Sequence, residues 1–149
     1  MRRTGFTRRK PRPKPAATLG LARVLIVEDD PVLAMANEDA LRHAGAEQVF
    51  IAPSTESALE VLRREQPEAI VIDVHLADRD DGWAIAELIE AVVPTRPKIV
   101  FATGSPEEIP DAIASLGTIL VKPFLAEDLI AALRGPEGGL LSRLRGAGS

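Results

Sequence analysis

The stretch Val24-Leu25-Ile26-Val27-Glu28-Asp29-Asp30-Pro31 decides the fold of this chain. Four aliphatic residues in a row lack the alternation of a strand with one wet face, so they read as a strand covered on both sides. The run then stops on three acids and a proline. Asp30 has the side chain of a helix N-cap, and Pro31 suits the first helical position. A buried strand, an acidic turn and a helix start make the opening of a β–α unit. Its charges stand where the strand leaves its sheet, which is where open α/β sheets place ligand sites.

The same pattern repeats along the chain. Strands are expected at Arg23–Val27, Gln48–Ala52, Ala69–Asp73, Lys98–Ala102 and Thr118–Val121. Between them the periodicity predicts helices from Pro31 to Ala44, from the cap Ser54 to Glu65, from Trp83 to Val92 and from Ala126 to Leu133. A further helix belongs between Pro106 and Leu116, but Pro110 lacks the amide proton a continuous helix would use, so it is short or starts late. Five such units imply an α/β fold with a parallel sheet and helices on both faces. Right-handed crossovers favour the flavodoxin-like strand order 2-1-3-4-5. No G-x-G-x-x-G or G-x-x-x-x-G-K follows the first strand, so neither nucleotide phosphate loop has its sequence support.

At 149 residues the chain suits one domain with tails. We expect a basic, Pro-rich, disordered extension over 1–22, a folded domain over 23–134 and a Gly-rich tail over 135–149. Residues 1–22 hold seven of the 18 bases and no acid, leaving 11 bases against all 22 acids and a net of −11 on the rest. That acidic body argues against nucleic-acid binding by the globular part. The basic head reads most simply as a passive extension, with the charge to touch anionic lipid, nucleic acid or the acidic body itself. The absence of cysteine excludes thiol catalysis, disulfides and cysteine zinc sites. No apolar run reaches the ~20 residues of a membrane span, and no signal-peptide core follows the basic start. The expected location is the cytoplasm.

The second acidic position, Asp73, ends the run Ala69-Ile70-Val71-Ile72 and lies 44 residues from Asp29. In the order 2-1-3-4-5 the first and third strands are neighbours, so Asp29 and Asp73 face each other across the crevice. Hard oxygen ligands at such an edge suit Mg²⁺. A carboxylate there can also accept a phosphoryl group, with a cation and Lys122 neutralising the charge. Other charged residues have plainer roles. Asp30 caps a helix, His43 complements a helix dipole, and Asp78, Asp80 and Asp81 form a solvated loop. Trp83 reads as packing, and the lone imidazole of His75 has no second histidine nearby to make a metal pair.

These residues resemble the receiver domains of bacterial two-component response regulators. The matching motifs are Val-Leu-Ile-Val-Glu-Asp-Asp (24–30), Ile-Val-Ile-Asp-Val-His-Leu (70–76), Asp81-Gly82, Phe-Ala-Thr-Gly (101–104) and Val-Lys-Pro-Phe (121–124). The resemblance implies Asp73 as phosphoacceptor and Glu28, Asp29, Asp73 and the backbone carbonyl of His75 as Mg²⁺ ligands. It implies Thr103 as the switch hydroxyl, Lys122 as the conserved-type lysine, and a Lys122–Pro123 bond that is often cis. The donor is then a sensor histidine kinase or a histidine phosphotransferase, and the chain is a phosphorylation-controlled switch rather than an enzyme. Three departures stand out: Ala77 replaces the usual loop proline, the loop to Gly82 is one residue longer, and Ile119 replaces the switch aromatic. Phe101-Ala102-Thr103-Gly104 partly matches a stand-alone receiver subfamily that also lacks that aromatic.

With fewer than twenty residues after the last helix, output is expected through a separate partner, with a homodimer also open to it. Three other readings compete. One is a pseudo-receiver that binds partners without phosphorylation, and another is a phosphate sink in a relay. The last is a phosphatase on a related sheet, against which stands His75 where a second catalytic acid is usual.

Overall fold

The computed structural model describes residues 19–75 and 83–135. Its strands are β1 (Arg23–Val27), β2 (Gln48–Ala52), β3 (Ala69–Asp73), β4 (Lys98–Thr103) and β5 (Thr118–Val121). Its helices are α1 (Pro31–His43), α2 (Thr55–Glu65), α3 (Ala84–Val92), α4 (Asp111–Ala114) and α5 (Ala126–Arg134). The strands form one sheet in the order β2-β1-β3-β4-β5, and every pairing is parallel. The topology is the one expected from the strand–helix alternation.

Local chemistry sets most boundaries. Asp30 accepts hydrogen bonds from the amides of Val32 at 2.9 Å and Leu33 at 3.4 Å, which starts α1 directly after the acidic turn. Ser54 and Ser57 form a reciprocal capping box at the start of α2. Pro110 interrupts the expected fourth helix: a 3₁₀ turn over Pro106–Glu108 precedes it, and α4 begins only at Asp111. Gly117 passes so close to β4 that a Cβ there would collide with the carbonyl of Ile99.

Alternation along the strands divides the core in two. Leu25, Val27, Ile70, Ile72 and Phe101 pack with Leu62 of α2, Ile85 and Ile89 of α3 and Ile113 of α4. On the opposite face Val24, Ile26, Val71 and Val100 pack with Leu41 of α1 and Leu129 and Leu133 of α5. Each such fully buried aliphatic contributes roughly 1.5–3 kcal/mol. Leu19, expected in the N-terminal extension, is buried in the second cluster and donates its amide to Ala44 at 2.9 Å, so ordered packing begins before Arg23. Residues 1–18, residues 76–82, on which the expected solvated loop with Asp78, Asp80 and Asp81 falls, and residues 136–149 lie outside the described residues. Among the described residues, no helix is long and apolar enough to cross a membrane.

Candidate functional site

Register builds the site. Val27 pairs with Ile72, so Glu28 leaves β1 beside Asp73 at the end of β3. Asp73 pairs with Ala102, and Thr103 pairs with Val121, which brings Lys122 to the same edge. Four positions separated by up to 94 residues are thereby placed together by one set of parallel ladders. The Nζ of Lys122 lies 3.0 Å from Oδ1 of Asp73, a pair in which Asp73 is almost fully buried.

Glu28, Asp29 and Asp73 each offer a carboxylate oxygen within 4.8 Å of the others. Glu28 is buried, and that burial, with the Asp73 carboxylate beside it, pushes its carboxyl from 4.5 up to about 7. The Asp30 amide, donating to Glu28 at 3.2 Å, and the charge of Lys122 oppose the shift without cancelling it. A cluster in which one acid holds its proton to near neutrality suits a small divalent cation, which would relieve the repulsion. Three hard oxygen donors at a strand edge fit Mg²⁺, which takes few carboxylates and keeps waters or phosphate oxygens. Beside this cluster a pocket of about 270 Å³ is lined by Glu28, Asp73 and Lys122 together with Leu33, Ala36 and Phe124.

Thr103 is fully buried, and its Oγ1 accepts from the Ser105 amide at 2.9 Å. That bond occupies one lone pair and leaves the hydroxyl proton available to a nearby oxygen. The amide of His75 donates to Asp73 at 3.3 Å, whereas its imidazole stands outside the carboxylate trio. Its Nε2 instead lies 3.2 Å from Oε1 of Glu108, in the turn before α4. The sequence carried no signal for that contact, because Glu108 belongs to a different connection. Ile119 pairs with Phe101 in the sheet and packs half-buried against the first core cluster, so no phenol is present there to swing. The Lys122–Pro123 peptide bond is cis.

Residues 24–134 match the family model of the response regulator receiver domain. Transcriptional regulatory protein PdtaR of Mycobacterium tuberculosis (strain CDC 1551 / Oshkosh) is 31% identical over 113 residues, covering 74% of this chain and 54% of the relative. The chain thus spans about half the length of that curated relative. Chemotaxis protein CheY of Bacillus subtilis (strain 168) is 29% identical over 112 residues, covering 74% of this chain and 93% of the relative. Among solved structures, the receiver domain of the Erythrobacter litoralis PhyR response regulator superposes with a TM-score of 0.70 at 25% identity. That match covers 81% of this chain and 93% of the other.

Proposed function

The chain belongs to the response regulator receiver domain family, and from that premise we propose that it is a switch phosphorylated on Asp73. The observation that carries this reading is the 3.0 Å Lys122–Asp73 pair set in a trio of carboxylates. A lysine and an aspartate at that distance, with two further acids beside them, form a poor structural device and a good phosphoryl receptor. In the proposed reaction an Asp73 carboxylate oxygen attacks the phosphorus of a phosphohistidine. The new O–P bond forms as the N–P bond breaks, and the donor imidazole leaves with the bonding pair and takes up a proton. Such transfers rely on positioning and charge stabilisation more than on covalent help from the protein.

The remaining residues take roles their positions support. Glu28 and Asp29, with Asp73 and the backbone carbonyl of His75, would hold Mg²⁺. The bound ion supplies charge neutralisation at the phosphoryl oxygens. Lys122 gives up its ion pair with Asp73 to contact one of those oxygens, and the Thr103 hydroxyl donates to another. That second contact uses the hydroxyl proton while the oxygen still accepts from the Ser105 amide, which couples phosphorylation to the β4–α4 connection. With Ile119 in place of an aromatic, the coupling runs through backbone and packing rather than through a rotating ring.

The donor is a sensor histidine kinase or a histidine phosphotransferase, and the setting is the cytoplasm. The output is a partner protein that binds one form better than the other, because only differential affinity shifts a two-state protein. External substrates are not turned over. Intact mass after incubation with Mg²⁺ and acetyl phosphate tests the central claim. One added phosphoryl group is expected, lost in Asp73→Asn and in EDTA. An adduct that survives in Asp73→Asn overturns it, and an unmodified protein even with a phosphorylated histidine phosphotransferase makes the chain a constitutive binder.

A further inference from the structure

The connections that leave α2 and α3 frame a pocket of about 530 Å³ at the edge where the strands begin. Leu59 and Leu62 of α2 and Val93 after α3 give it an apolar lining. Pro67, Pro94 and Pro97 stand in the turns that lead into β3 and β4 and fix the shape of its walls. The five residues of β3 separate it from Asp73, about 13 Å of strand. Its volume lies in the range of small-molecule sites, roughly 300–1,000 Å³.

Its charges run against those of the domain. Residues from Arg23 onward hold 11 bases and 22 acids, yet Arg23, Arg63 and Arg96 all line this pocket, with Glu68 as its one acid. That carboxylate already accepts from the amides of Ala22 and Arg23. Arg23 donates to the carbonyls of Glu65 and Gln66, which offsets the negative end of α2 that would otherwise repel an anion. Arg96 pairs with Glu90, which lies outside the lining, and a guanidinium has further N–H donors to offer. Arg63 makes no hydrogen bond or ion pair among the described residues, whereas its neighbour Arg64 pairs with Glu60 and Glu65. The side chains of Gln66 and Thr95 add an amide and a hydroxyl.

The prolines decide which anion suits the pocket. They remove amide donors from its turns, and a run of such donors is what cradles a phosphate. Recognition falls instead to the guanidinium forks, whose paired N–H groups match the two oxygens of a carboxylate. The aliphatic lining takes an apolar body. We infer that this pocket binds an amphipathic organic carboxylate, with its head on Arg63 and Arg96 and its chain against Leu59, Leu62 and Val93. Nothing in this depends on the chemistry at Asp73.

Sodium octanoate is the probe, added to the full-length, isotopically enriched protein while its amide resonances are followed. Saturable shifts are expected at Leu62, Gln66, Val93 and Thr95, in the millimolar range that a ligand of about ten non-hydrogen atoms reaches. The Arg63→Gln/Arg96→Gln variant should bind about tenfold more weakly, the scale of one lost charge-assisted bond. Both side chains are exposed, so the variant should keep the parent's spectrum elsewhere. The neutral analogue 1-octanol should also bind about tenfold more weakly, and octylammonium should leave these resonances unmoved. Absent shifts, shifts scattered over the surface, or equal affinity for either analogue overturn the inference. So does unchanged affinity in the folded double variant.

Discussion

The two edges of this sheet use the same kinds of side chain to opposite ends. At the edge where the strands begin, Arg23 donates to the carbonyls of Glu65 and Gln66, closing the C-terminal end of α2. Lys98 does the same for Leu133 and Arg134 at the end of α5, and Glu68 accepts from the amides of Ala22 and Arg23. These three charges meet backbone groups at strand starts and helix ends. Where the strands end, Glu28, Asp29 and Asp73 crowd together, and Glu28 is pushed up to about 7. The first edge holds charge to stabilise the fold, and the second holds it at a cost to the fold. The comparison teaches that a sheet edge reveals its use by what its charges are bonded to, not by how many it has.

If that contrast is right, substitutions at the two edges separate stability from chemistry. Lys122→Met should cost most, slowing formation of the Asp73 adduct by roughly 10²-fold, the scale of removing one preorganised charge-stabilising donor; rates of adduct formation by intact mass check it. A rate within a factor of two of the parent would remove Lys122 from the proposed chemistry.

Glu28→Gln should do the reverse to the fold. Because the folded-state pKa of Glu28 lies above its ordinary value, its contribution is fully present below about pH 4.5 and lost as pH rises through about 7. Without divalent cations, the variant should therefore gain stability over the parent as pH rises from 5 to 8, by at most roughly 3 kcal/mol. Denaturation curves at several pH values measure the gap, and Mg²⁺ should narrow it by stabilising the parent more than the variant. A gap that stays flat with pH would mean the carboxylates are not in conflict.

Lys98→Met at the opposite edge should lose about 1–2 kcal/mol by leaving helix-end carbonyls without their charged donor, while the Asp73 adduct forms at the parent rate. Asp30→Ala gives the smallest effect, a loss of about 1 kcal/mol. Asp30 sits in the acidic turn yet caps α1, so it should behave like a residue of the other edge, with adduct formation unchanged.

Much of this was legible from residue order because its causes are local. Aliphatic runs without alternation mark strands buried on both faces, and Asp30-Pro31 and Ser54 mark where helices begin. Pro110 explains why α4 is a single turn after a 3₁₀ segment. The candidate site was legible for a related reason: a charge directly after a buried strand has nowhere to go except the sheet edge, so Glu28, Asp29, Asp73 and Lys122 declared their positions. Glu108 beside His75 was not legible, nor was Leu19 as part of the core, because neither is near its contacts in sequence.

The sequence by itself determined the strand–helix units, the residues that end them and, through five ordered motifs, the family. Tertiary structure alone decided the 3.0 Å approach of Lys122 to Asp73, the elevated proton affinity of Glu28 and the pocket framed by the ends of α2 and α3. The physical reason is range. Hydrophobic alternation and capping act over a few residues, whereas ladder register and helix packing join groups dozens of residues apart. Burial and mutual repulsion acquire a magnitude only after those groups meet.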